Sequence, residues 1–285
     1  MSLHTTVDRN FFESLWQFSE IAREIDVDWL VVGATARRLL LESVYGWPAG
    51  RATEDTDFAV WVKDWHHFNK LCKACEESRH FEPLATPPKR FRAVHGGYFD
   101  LLPYGGVESA GRQVFWPPDD DYVMTVRGFP AAAENATVVI VNRELDVPVV
   151  SPEGLLALKL FAWEERAAQE PGRDAGDVAY LLTNAERISG VDDIYDHHPD
   201  VAEAHDYDLH LAAIAVLALR SGKILEPKEK QFLLETLGTE VDQSTASLLV
   251  RELDRYIPTA DAERVLHMIV AMRDGFLRAA RDGPD

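Results

Sequence analysis

Two aspartates one residue apart, Asp55 and Asp57, stand at the head of the apolar run Phe58-Ala59-Val60-Trp61-Val62. In a strand, side chains two apart leave on the same face, so this spacing presents two carboxylates side by side. Hard cations such as Mg²⁺ take oxygen ligands, and phosphoryl transfer commonly uses two of them about 3.5 to 4 Å apart. A third carboxylate, Asp100, interrupts the apolar stretch Tyr98-Phe99-Asp100-Leu101-Leu102. Burying it costs free energy unless it is paired, hydrogen-bonded or metal-bound, which makes it the natural third member of the site. A strand-end aspartate facing water is the other reading of the same residue.

The elements that position these carboxylates precede and surround them. Trp29-Leu30-Val31-Val32 predicts a short buried strand, ended by Gly33, where the chain turns without a Cβ in the way. Ala34 to Tyr45 then predicts a helix, with Ala36, Leu39, Leu40 and Val44 at helical spacing. A glycine-ended strand feeding a helix N-terminus offers free N–H groups and a positive dipole end, which suits a polyphosphate.

Gly33-Ala34-Thr35 followed by Asp55-Thr56-Asp57 resembles the glycine-plus-DxD signature of the polymerase-beta-like nucleotidyltransferase superfamily. The fuller pattern Arg51-x-Thr53-x-Asp55-x-Asp57 is most similar to the AbiEii-type nucleotidyltransferases of bacterial toxin–antitoxin systems. That family usually has two glycines, or glycine then serine, where this chain has Gly33-Ala34. Phe99-Asp100-Leu101-Leu102-Pro103-Tyr104-Gly105 resembles the family's strand carrying the third carboxylate.

Around this core the pattern is regular. Asp8 caps a predicted helix over Arg9 to Ile25, and Asp64 to Ser78 predicts another. Cys72-Lys73-Ala74-Cys75 has CxxC spacing but lies inside the second helical pattern without a second cysteine pair, so both thiols read as small buried hydrophobes. Short strands are expected from Phe81 to Tyr104, and Ala136 to Val141 with Leu145 to Val150 reads as a hairpin turning on Asn142-Arg143-Glu144. Pro117 to Asp121 reads as a solvated turn.

Ser151-Pro152 predicts a helix start, and the chain is helical in pattern from there on. Lys159 is the lone polar residue within Leu155 to Ala162, on one helical face with Leu155, Trp163 and Arg166. Pro152-Glu153-x-Leu155, Lys159, Arg166 and Arg173-Asp174-x-x-Asp177 resemble the second block of the AbiEii-type enzymes, in which a lysine and a later aspartate belong to the active site. The expected architecture is therefore α+β: a polymerase-beta-like nucleotidyltransferase domain with a mixed sheet and flanking helices, residues 1–150, followed by an all-helical domain, 151–285, that completes the site. His197, His198, His205 and His210 match no metal-ligand spacing and read as part of an acidic loop.

The totals bound the partners. At 285 residues and a net charge of −19 the chain is a poor general binder of polyanions, since nucleic-acid affinity leans on phosphate neutralisation. An RNA acceptor would need a local basic patch, for which Lys89-Arg90-Phe91-Arg92, with Arg37 and Arg38, is the candidate; solvated charges on an exposed strand and helix are the other reading. No apolar run approaches the length of a membrane span, and the N-terminus lacks a signal pattern, so a cytoplasmic location is expected.

The resemblance implies transfer of a nucleoside monophosphate from an NTP to an acceptor hydroxyl. It implies Asp55, Asp57, Asp100, Lys159 and Asp174 as the catalytic set, with Asp55, Asp57 and Asp100 holding two Mg²⁺ ions. Gly33, Thr35, Arg51, Thr53, Lys159 and Asp177 are its nucleotide contacts, and Asp174 orients either Lys159 or the nucleotide. Three readings follow: a toxin acting on RNA, chiefly tRNA, with a cognate antitoxin; an enzyme modifying a small molecule of the aminoglycoside type; or a non-catalytic nucleotide-binding module.

Overall fold

The computed structural model describes residues 3–47, 55–85 and 89–281. The chain divides into two compact units, residues 1–151 and 152–285.

The first unit is a mixed sheet with helices on it. Its strands are β1 (Leu3–Thr5), β2 (Trp29–Val32), β3 (Asp55–Val62), β4 (Phe81–Leu84), β5 (Lys89–Ala93) and β6 (Tyr98–Gly105), then the small pair β7 (Gln113–Phe115) and β8 (Val123–Thr125), then β9 (Thr137–Val141) and β10 (Leu145–Val149). The main sheet runs β1-β9-β10-β2-β3-β6-β5-β4, with β7 and β8 pairing apart. β3 lies antiparallel to β2 and parallel to β6, while β5 lies antiparallel to β6. Asn142 and Arg143 both take positive φ, 51° and 65°, in the turn between β9 and β10, a conformation whose twist matches a tight hairpin.

Helix α1 (Arg9–Ile25) starts where Asp8 accepts from the Phe11 N–H at 3.0 Å and buries Leu15, Phe18, Ile21 and Ala22. Phe18 stacks on Phe58 of β3 at 4.1 Å, and Phe58 stacks on Phe99 of β6 at 5.3 Å. The face of the sheet opposite the aspartates is thus sealed by aromatic packing. Helix α2 (Gly33–Arg37) follows β2, and helix α3 (Trp65–Glu77) is capped by Asp64. Both cysteines are buried in α3, and burial pushes the Cys72 thiol up to about 12, the behaviour of apolar filler.

The predicted helix over 34–45 is only partly α. From Arg38 to Val44 the backbone widens into a π-helix. Leu39, Leu40 and Leu41, three consecutive residues, are all buried, and the Arg37 guanidinium lies 3.0 Å from Glu42, five residues on. A segment that must bury three neighbours in a row and join residues five apart is served by the wider turn, and such segments occur often at functional sites. A short helix α4 (Phe129–Glu134) and strands β1, β7 and β8 were not expected; each has only three to six residues, too few for a period to show.

The second unit is helical: α5 (Pro152–Arg166), α6 (Arg173–Thr183), α7 (Ala185–Ser189), α8 (Val191–His197), α9 (Pro199–Ala204), α10 (Leu209–Ile224), α11 (Pro227–Asp242), α12 (Leu248–Asp254) and α13 (Ala262–Arg281). Ala212 to Ala218 of α10 are all fully buried. A Cβ on Gly275 of α13 would fall 2.2 Å from the Ala215 carbonyl oxygen, so glycine lets α13 lie directly on α10. The stretch with His197, His198 and His205, expected as an acidic loop entering a helix, instead runs through two short helices, α8 and α9, before α10.

Candidate active site

Register places the carboxylates. Asp57 on β3 is paired with Asp100 on β6, and Asp100 in turn with Arg90 on β5. Residues paired across strands share a face, so the three form one row, with Asp55 two residues along β3 on the same side. On the other side of β3, Val32 of β2 pairs with Asp57, and Gly33 follows at φ +67°. A Cβ on Gly33 would lie 2.3 Å from Asp57 Oδ2, so the loop's backbone passes directly against the carboxylate.

Asp100 is 4% exposed, and it is held by Arg90, whose Nε donates to Oδ1 at 2.7 Å and Nη2 to Oδ2 at 2.6 Å. Nη2 also lies 3.5 Å from Asp55 Oδ2. The hydrogen bonds to Asp100, with the negative charges of Asp100, Asp55 and Asp57, hold the guanidinium well above its ordinary range. Among the described residues no group of three carboxylates, imidazoles or thiols is gathered closely enough to hold a metal ion. The donor chemistry nevertheless suits a hard divalent cation: carboxylates alone, on one face, with the backbone of a glycine turn beside them. Arg90 is the cation standing among them in this structure.

Thr35 is buried, and its hydroxyl donates to the Asp55 carbonyl at 2.8 Å while lying 3.4 Å from the Thr56 hydroxyl. It ties α2 to the head of β3. Arg51 and Thr53, expected nucleotide contacts, lie outside the described residues.

The side chains weighed as a basic patch are all engaged within the chain. Arg90 is engaged with the aspartates; Lys89 pairs with Glu76 at 2.9 Å, Arg92 with Glu82, and Arg37 is buried with Glu42. Arg38 lies over the Phe11 ring at 4.7 Å. Cations matched by the chain's own carboxylates attract a polyanion weakly.

The second unit carries its own buried cluster. Lys159 Nζ lies 3.1 Å from Asp174 Oδ1 and 2.6 Å from Asp177 Oδ2. Arg166 grips Asp174 with both Nε, at 2.7 Å, and Nη2, at 2.9 Å. Burial pushes the Asp174 carboxyl up, but hydrogen bonds from Arg166 and the charges of Lys159 and Arg166 outweigh it, and the carboxyl sits below its usual range. Behind the cluster, Glu252 accepts from the Trp163 indole N–H at 2.8 Å and the Gly172 N–H at 3.1 Å, fixing the turn that begins α6. The four histidines do not converge: His197 and His198 face Asp193, His205 faces Asp274, and His210 faces Glu186.

Arg90 and Glu252 were missed as site-building residues. Arg90 pairs with Asp100 because the hairpin between β5 and β6 is centred on His95, just before Gly96-Gly97; a turn at the two glycines themselves would have brought position 90 opposite 103, so the local pattern implies a hairpin but not this register. Glu252, eighty residues from Gly172, left no local signal.

The profile of a family described as nucleotidyl transferase AbiEii toxin, type IV toxin–antitoxin system, matches residues 21–257. Among solved structures, the chain is similar to an antigenic nucleotidyltransferase-like protein from Paracoccidioides brasiliensis, at 17% identity over 72% of this chain and 91% of that one, with a TM-score of 0.40. It is also similar to the antibiotic-resistance factor ANT(2'')-Ia, at 14% identity over 70% and 99% of the two chains, with a TM-score of 0.38. No curated protein sequence matches it.

Proposed function

The chain belongs to the AbiEii nucleotidyl transferase family and is a nucleotidyltransferase, and from that premise we propose that it moves a nucleoside monophosphate from an NTP to a hydroxyl of RNA, with tRNA as the acceptor; the α–β phosphoanhydride breaks and pyrophosphate leaves. The observation that carries the chemistry is the row Asp57, Asp100 and Arg90 with Asp55 beside it, set against the Gly33 turn.

In this reading Asp55, Asp57 and Asp100 hold two Mg²⁺ ions, which when bound supply charge neutralisation at the polyphosphate. The backbone at Gly33 lies against the phosphates, and Thr35 keeps that turn registered on β3. Asp100 accepts the proton of the attacking hydroxyl or fixes that hydroxyl's orientation. Lys159 is kept as a nucleotide contact, a point charge, on the resemblance alone; within the second unit Asp174 and Asp177 set the position of its ammonium. Arg51 and Thr53 are kept as nucleotide contacts on the resemblance alone. A cognate antitoxin is the implied protein partner.

A second reading, a small polycationic acceptor, is favoured by one observation. The net charge is −19, and Lys89, Arg90 and Arg92 are each matched by a carboxylate of this chain. The test of both is incubation with Mg²⁺, each α-labelled NTP and total RNA, alongside Asp55→Ala/Asp57→Ala. Label entering RNA only with the unaltered chain supports the first reading. NTP binding without label on RNA, together with transfer to an aminoglycoside, supports the second.

A further inference from the structure

At the other end of the strands that carry the aspartates lies a cavity of about 930 Å³. Trp61, on its wall, is four residues along β3 from Asp57, roughly 13 Å at strand spacing, so this cavity is separate from the carboxylate row.

Its walls combine an aromatic face with unmatched negative charge. The Trp61 indole is 36% exposed and lies across β6 at Gly105, where a Cβ would come within 2.6 Å of the indole nitrogen. Tyr104 is 4% exposed, lines the cavity and makes no hydrogen bond through its hydroxyl among the described residues. Also lining it, the exposed carboxylates of Asp28 and Glu134 have no cationic partner among the described residues. The cations that do line the cavity are committed: Arg112 to Glu108 at 2.8 Å and Arg23 to Glu20 at 2.5 Å. Burial, and then the charges of Asp28, Glu108 and Glu134, push the Tyr104 phenol up to about 12, so it stays protonated and faces those three carboxylates.

An indole face, a buried tyrosine whose hydroxyl opens to the cavity, and exposed carboxylates lining it are the complement of an alkylammonium: cation–π attraction for the charge, ion pairing with the carboxylates, and apolar wall for the methylenes. We infer that this cavity is a binding site for a small aliphatic polyamine, separate from the site of nucleotidyl transfer.

The experiment is calorimetric titration of the full-length chain with spermidine at near-physiological salt. Asp28→Asn/Glu134→Gln is expected to weaken binding at least tenfold, and Trp61→Leu to weaken it several-fold. Asp192→Asn/Asp196→Asn, which removes the same charge elsewhere on the surface, is expected to leave it within twofold, as is Asp55→Ala/Asp57→Ala. Circular dichroism of each variant verifies the fold. Absence of binding to the unaltered chain at millimolar spermidine overturns the inference. So does equal weakening by the remote pair, which would mean attraction to net charge alone, or loss of binding in the Asp55/Asp57 variant, which would place the amine at the carboxylate row.

Discussion

Gly33 and Asp57 are in mutual contact through an atom that glycine lacks: a Cβ at position 33 would stand 2.3 Å from Asp57 Oδ2 and 3.3 Å from its carboxyl carbon. The φ of +67° at Gly33 further strains any other residue there. Gly33→Ala is therefore expected to push the Asp57 carboxylate from its place and lower nucleotidyl transfer at least a hundredfold, at a stability cost of about 1 to 2 kcal/mol. Transfer assays with urea unfolding check both halves; an active Gly33→Ala enzyme would show that the approach is unrelated to catalysis.

Asp57→Asn keeps size and shape while removing the charge. Activity is expected to fall by about 10² to 10³, with the far-ultraviolet circular dichroism unchanged. Loss of folding in this variant would reassign Asp57 as a residue of the sheet rather than of the site.

Arg90 occupies the carboxylates proposed to hold divalent ions, holding Asp100 through two hydrogen bonds and standing 3.5 Å from Asp55. Arg90→Ala is expected to tighten Mn²⁺ binding about tenfold, as charge-assisted hydrogen bonds contribute roughly 1.5 to 3 kcal/mol. Electron paramagnetic resonance of free Mn²⁺ reads this without any turnover. Unchanged or weaker binding would mean that Arg90 supports the metal ligands instead.

Glu252 is 1% exposed and serves two buried N–H donors, those of Trp163 and Gly172. Glu252→Ala is expected to destabilise the protein by about 3 kcal/mol, since both donors lose their acceptor. The shift of the urea midpoint measures it, and a shift below about 1 kcal/mol would show that water replaces the carboxylate.

Acid should unfasten the Lys159, Arg166 and Asp174 cluster. The Asp174 carboxyl lies below its usual range in the folded chain, so its contribution to stability is complete above the ordinary carboxylate pKa of about 4 and is lost as pH falls through the lower folded value. In unfolding measured across that window, Asp174→Asn is expected to flatten the fall in stability. An identical slope in both proteins would assign the acid transition to other groups.

What could be read along the chain was whatever repeats within a few residues. The two-residue spacing of Asp55 and Asp57, the glycine ending Trp29–Val32, the cap Asp8 before Arg9–Ile25 and the apolar stripe of α3 are local, since backbone dihedrals set those periods without help from distant residues. Together with family resemblance they were enough for the α+β class and for a nucleotidyltransferase. The tertiary structure decided which side chains meet. The pairing of Asp57 with Asp100, of Asp100 with Arg90, of Thr35 with Asp55 and of Glu252 with Gly172 depends on strand register and helix packing, which no single segment encodes. A one-residue slip in β5 would turn Arg90 to the other face of the sheet and leave Asp100 without its partner. The chemistry was therefore legible as residue types at short spacing, while the arginine among the carboxylates and the cavity beside Trp61 and Tyr104 exist only because distant strands are brought into one sheet.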